Sequence, residues 1–112
     1  MTAYDPGDVV LVNFVFSDES GVKQRPALIL STDRYHRSRQ EAIVAAITSN
    51  VTRLLVGDCK VRAWREARLL YPSVVTGIVR MVKQDMISCK LGTLAASDLQ
   101  TVKRKLREIL ML

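Results

Sequence analysis

The apolar residues of this chain change period once, and that change limits what it can fold into. From residue 8 to residue 91 they come in short runs rich in Val and Ile, broken by Gly, Pro and charged residues. From residue 97 onward they recur every three or four positions. Short β-forming runs between turn residues are strand signals, whereas the second spacing marks an amphipathic helix. The chain therefore reads as mostly β with one C-terminal helix.

Residues 8–16, after Pro6-Gly7, form the first expected strand, and residues 17–24 a polar loop. Residues 25–32 form the second strand. Pro26 stands at its entry, because proline lacks the N–H that a central ladder needs. A charged connection leads to a third strand over residues 42–49, apolar enough to be buried on both faces for most of its length. Residues 54–61 read as a fourth strand with a bulge or turn at Gly57, and residues 63–70 as a short helix before Pro72. Residues 74–82 and 86–91 supply a fifth and a short sixth strand. Ser97 and Gln100 have the spacing of a capping box. Leu99, Val102, Leu106, Ile109 and Leu110 share one helical face, and Lys103, Arg104, Lys105 and Arg107 occupy the rest. These elements suggest a small, mostly antiparallel barrel, closed or flanked by the helix. The apolar end at residues 109–112 would cover an open flank in a dimer.

A length of 112 residues fits one domain, 1–112, with a modest core. No apolar run approaches the ~20 residues that span a bilayer, so no membrane partner is expected. Cys59 and Cys89 lack CxxC spacing, and a reducing cytoplasm is the expected compartment. The net charge of +6 is unevenly distributed: residues 1–21 carry four acids and no Lys or Arg, while the remainder carries 17 bases against 7 acids. A basic surface with an acidic lip suits a polyanion or an acidic protein partner.

His36 is the only histidine, which excludes a two-histidine acid–base mechanism within one chain, and its charged surroundings predict a surface position. HExxH, GxxxxGK[ST] and GxGxxG are absent, and no acidic cluster looks like a two-metal site. The inventory favours a reaction on an anionic substrate without metal or cofactor. Arg25 fits that chemistry. Its rigid fork of five donors stays protonated and suits a phosphate whose charge grows in the transition state. Pro26 restrains Arg25 towards extended backbone, so the guanidinium departs from a defined position. Thr48, where the apolar run IVAAI ends, offers a hydroxyl. An edge device and an ordinary strand threonine are the competing readings of these two residues.

Five ordered blocks carry a resemblance over nearly the whole chain. They are GDVVLV from Gly7, RPALILS from Arg25, AITS from Ala46, WREARL from Trp64 with PSVV from Pro72, and LGTL before the final helix. Together they resemble the MazF/PemK-type toxins. The resemblance implies an SH3-like barrel of the MazF/PemK/CcdB toxin type that forms homodimers. It implies a ribosome-independent, metal-independent endoribonuclease that cuts single-stranded RNA, usually mRNA, leaving a 2′,3′-cyclic phosphate. It also implies inhibition by a cognate antitoxin whose acidic C-terminal segment occupies the RNA groove. Arg25 and Thr48 match the family's catalytic pair. The loop 17–24 matches the segment over the groove, making Ser17, Ser20, Lys23 and Gln24 expected RNA contacts, with Arg53 beyond Thr48. Arg80 either contacts RNA or braces the dimer.

Two positions depart from the family pattern. Arg68 stands where members often have Gly, and Ile78 stands where many have an RNA-reading Gln. Trp64 reads as core more than as a stacking platform. Two other functions fit the same fold. A gyrase poison depends on residues at the end of the last helix, where this chain has Ile-Leu-Met-Leu. The other is a non-catalytic RNA-binding module.

Overall fold

The computed structural model of the chain describes residues 3–16 and 21–112. Strands β1 (Asp8–Phe16) and β2 (Gly21–Ile29) are followed by helix α1 (Asp33–Ser38) and strands β3 (Glu41–Thr48) and β4 (Cys59–Lys60). Strand β5 (Val74–Lys83), a 3-10 turn (Gln84–Met86), β6 (Ile87–Thr93) and helix α2 (Ala96–Leu110) complete the order. β2 begins well before residue 25. Residues predicted as loop pair instead with β1, Gln24 opposite Asn13 and Lys23 opposite Phe14.

These six strands join one antiparallel sheet in the order β4-β5-β3-β2-β1-β6. The expected barrel does not form. β4 and β6 are the two ends of the order, and among the described residues no ladder joins them. The predicted fourth strand is cut to two residues because Gly57, at φ 94, turns the chain just before it. Too little strand is left there to close a ring. Residues 62–70 lie against the β6 edge instead. They form turns rather than the predicted short helix, and Arg68 at φ 65 lies outside helical backbone.

Both faces of the sheet carry a core, which explains the apolar density of the strands. One cluster gathers Val9, Leu28, Ala45, Ile47, Leu69 and Val102, with Trp64 and Leu106 packed on it. The other gathers Val10, Val12, Ala27, Ile29, Val44 and Ile87. β3 contributes to both, as its sequence predicts. Burying each such Val, Leu or Ile side chain contributes about 1.5–3 kcal/mol, so paired faces let short strands hold together.

Helix α2 presents Leu99, Val102 and Leu106 to the first cluster. It starts one residue before Ser97, on a hydrogen bond from Leu99 N to Ala95 O of 2.9 Å. Ala95 at the N-cap makes no side-chain cap, so the expected capping box is not used. Asp98 in the first turn reaches outside the helix, where its buried carboxylate accepts from the N–H groups of Arg62 and Ala63 at 3.1 and 3.0 Å. That ties the helix to the 62–70 turns. His36 is also placed differently from expectation. α1, capped by Thr32, turns it inward, and Ser31 Oγ lies 2.6 Å from its Nε2.

Candidate active site

The β2–β3 ladder ends at Ala27 and Ala46. Arg25 lies two residues before the end of that ladder on β2, and Thr48 two residues after it on β3. Both line one hollow of about 630 Å³, whose walls also include Gln24, Pro26, Arg68 and Tyr71.

Each polar group has a defined state. Arg25 is exposed, and among the described residues its side chain makes one hydrogen bond, a long one of 3.5 Å from its guanidinium to Gln24 O. Among the described residues the remaining donors of the fork have no partner. Thr48 Oγ1 accepts from Asn50 N at 3.1 Å, which orients the hydroxyl and leaves its proton to give. Gln24 Nε2 donates to Ser88 Oγ at 3.4 Å, across the strand end. Ser73, deep in the wall, donates to Tyr71 O at 2.7 Å and so shapes the segment after the 62–70 turns. Among the described residues, Arg25 and Arg68 are the cations of this lining, and no carboxylate shares it. An anion is what such a hollow attracts.

The other predicted residues lie elsewhere. Lys23 is exposed on β2 and lies outside the lining. Arg53 is exposed in the connection between β3 and β4, also away from the hollow. Arg80 stacks its guanidinium 4.8 Å from the centre of the Phe14 ring on the sheet surface. Ser17 and Ser20 lie outside the described residues. Trp64 is half-buried against the first core cluster, with the Arg65 guanidinium 4.9 Å from its ring. Among the described residues no group of His, Cys, Asp and Glu has the arrangement of a metal site.

A larger hollow of about 710 Å³ lies between α1 and the β5–β6 turn, lined by His36, Arg37, Arg39, Lys83 and Asp85. Its charges are largely balanced internally. Arg37 pairs with Asp33 at 3.0 Å, Arg39 pairs with Glu41 at 3.2 Å, and Asp85 stands in its own wall. The smaller hollow, with two arginines on its described walls, is therefore the better anion site.

Sequence reasoning missed Tyr71 and the place of Arg68 in the site. A signal for Arg68 existed, an arginine in place of glycine, and its meaning is conformational: at φ 65 glycine is at ease and arginine is not. Such a residue costs roughly 1–2 kcal/mol of backbone strain.

The family model for the PemK-like, MazF-like toxin of type II toxin–antitoxin system matches residues 5–110. The chain belongs to that family. It is 34% identical over 98 residues to Endoribonuclease MazF6 of Mycobacterium tuberculosis, covering 84% of each chain. Endoribonuclease MazF2 of Mycobacterium bovis is equally similar over the same share. Among solved structures, the MazE-MazF crystal structure from Deinococcus radiodurans superposes with a TM-score of 0.81 at 22% identity, over 99% of both chains. The Mycobacterium tuberculosis toxin MazF-mt6 superposes at 0.73 with 24% identity, over 94% of this chain and 97% of that one. This member of the toxin family thus shares its fold over nearly its full length with MazF structures. No helix among its described residues is long and apolar enough to cross a membrane.

Proposed function

We propose that this endoribonuclease toxin of a type II toxin–antitoxin pair cuts single-stranded RNA in the hollow between Arg25 and Thr48. The observation that supports the reading is the cavity they share. A guanidinium and an oriented hydroxyl come from adjacent strand ends into one cavity, whose described walls hold no carboxylate. In the reaction, the 2′-hydroxyl of the substrate attacks the neighbouring phosphorus and the 5′-oxygen leaves. The products are a 2′,3′-cyclic phosphate and a 5′-hydroxyl. Arg25 neutralises charge that builds on the pentacoordinate phosphorus, a role for which its donors are preorganised. Thr48, its oxygen engaged by Asn50, donates a hydrogen bond to a phosphate oxygen and holds that phosphate in place. Gln24 borders the same cavity and contacts the strand next to the cut.

An antitoxin with an acidic segment fits the same cations and would block the site by occupying them. One similar fold is that of an endoribonuclease in complex with its cognate antitoxin from a mycobacterial species. A homodimer is supported by exposed apolar residues, including Ile78 and Met81 on β5 and Met111 and Leu112 at the C-terminus.

A substrate that lacks a single 2′-hydroxyl tests the chemistry. With deoxyribose on the 5′ side of the cut, RNA should bind yet resist cleavage, because the nucleophile is gone. Normal cutting of that substrate would rule out the internal-attack mechanism.

A further inference from the structure

Arg68 occupies an unusual backbone position for an arginine. It holds φ 65, in the left-handed region that side chains other than glycine seldom adopt, and it does so on the rim of the hollow that Arg25 borders. Its root is fixed: a Cβ on Gly92 would come within 2.8 Å of Arg68 Cγ, so the arginine stem crosses β6 where a side chain is missing. The turns that bear it are held from the other side by Asp98. Yet among the described residues nothing engages the guanidinium. Among the described residues it makes no ion pair and no side-chain hydrogen bond, unlike Arg37 and Arg39. Backbone strain beneath an unpartnered, well-rooted cation at the edge of an anion-attracting cavity is the pattern of a residue kept for a ligand.

We propose that Arg68 is a binding residue of the nuclease, holding the phosphodiester adjacent to the scissile one. It enters the hollow from the 62–70 turns, whereas Arg25 enters from β2. Two guanidiniums on separate elements can clamp successive phosphates of one strand and fix the RNA across Thr48. Arg25 serves the reacting phosphorus, and Arg68 serves positioning. This assignment rests on the reading of the hollow as an RNA-cleaving site.

The test compares the wild-type chain with Arg68→Gly and Arg68→Lys. Glycine keeps the left-handed turn and removes the cation, so its thermal midpoint should equal or exceed that of the wild type. Binding is measured with a fully 2′-deoxy single strand, which cannot be cut, across a range of salt. Arg68→Gly should weaken binding about tenfold and reduce the salt slope by about 0.7–1, the loss of one phosphate contact. Lysine should restore the slope but only part of the affinity, since a point charge replaces a fork. In cleavage assays the glycine variant should raise KM about tenfold and leave kcat within about twofold. Wild-type affinity and slope in Arg68→Gly would overturn the assignment. A loss confined to kcat would also overturn it, by moving Arg68 to the reacting phosphorus. A wild-type chain that neither binds this strand nor cuts single-stranded RNA would instead overturn the RNA reading on which the assignment depends.

Discussion

Gly92 and Ala67 meet backbone to backbone: a Cβ on Gly92 would lie 2.6 Å from the Ala67 carbonyl oxygen, closer than real Cβ contacts come. This contact seats the 62–70 turns on the β6 edge, in the gap that no described strand fills. Gly92→Ala should therefore destabilise the fold by about 1–3 kcal/mol, since the obstacle is backbone and cannot rotate away. Denaturant titration of the variant gives the number. Wild-type stability would mean that the turns can lift off without cost.

Arg25→Ala should lower cleavage by about 10²–10³-fold, the size expected for one lost preorganised donor. Lysine should rescue poorly. Thr48→Val preserves the β-branched shape and should impair cutting with little effect on folding, while Thr48→Ser should retain more activity than Val. Single-turnover rates on a defined RNA check all four. If both Arg25→Ala and Thr48→Val cleave at the wild-type rate, the site lies elsewhere.

Internal attack by the substrate's own hydroxyl, with a guanidinium absorbing the charge, needs no metal-bound nucleophile. RNA cleavage is expected to persist in EDTA. Activity lost with chelator and regained with Mg²⁺ or Mn²⁺ would overturn this mechanism.

Asp98 joins helix α2 to the turns that carry Arg68, through two backbone donors at 3.1 and 3.0 Å. Asp98→Ala strands those N–H groups in a partly buried setting and should cost about 1–3 kcal/mol. Thermal melts measure the loss. Because the helix and the turns part together, protection of the Arg62 and Ala63 amides from hydrogen exchange should fall as well.

Burial raises the pKa of the Cys59 thiol above its ordinary value, and the nearby Asp98 carboxylate adds to the shift. A folded pKa above the unfolded one contributes stability that is complete below the unfolded thiol value, about 8.5, and is lost as pH rises through the folded one. Stability should thus decline in the alkaline range, and less so in Cys59→Ala. A thiol reagent at mildly alkaline pH should label exposed Cys89 in the native protein and reach Cys59 only on unfolding. Rapid native labelling of both would contradict the buried position.

The legible parts of this fold are those where local chemistry and tertiary context agree. Residues 8–16 and 74–82 are dense in β-formers and form β1 and β5 almost to the residue, and Gly57 turns where its position among the apolar residues predicts. Residues 63–70 have a helix-like composition, yet Arg68 at φ 65 and the seat on Gly92 keep them in turns. Here packing overrides propensity. The capping-box spacing misleads because Ser97 falls inside the first helical turn, one residue past the start. His36 reads as exposed because its neighbours are charged, but α1 aims it at Ser31. Arg25 and Thr48 stand out by side-chain type, whereas the hollow that both line takes shape only in the folded chain. Arg68 is obscured by a different cause. A lone charge in a turn reads as solvated until its backbone angle and its cavity are known.

The strand order also has a meaning in time. β1, which precedes the other strands in the sequence, lies between β2 and β6, with Val12 opposite both Arg25 and Ile87. The hollow takes walls from Leu11 near the start of the chain and Leu91 near its end. A growing chain on the ribosome therefore holds Arg25 and Thr48 long before it can shape the cavity around them. The hollow is completed only when β6 has emerged to take the free edge of β1. Until β6 has been made, Arg25 and Thr48 share no finished hollow.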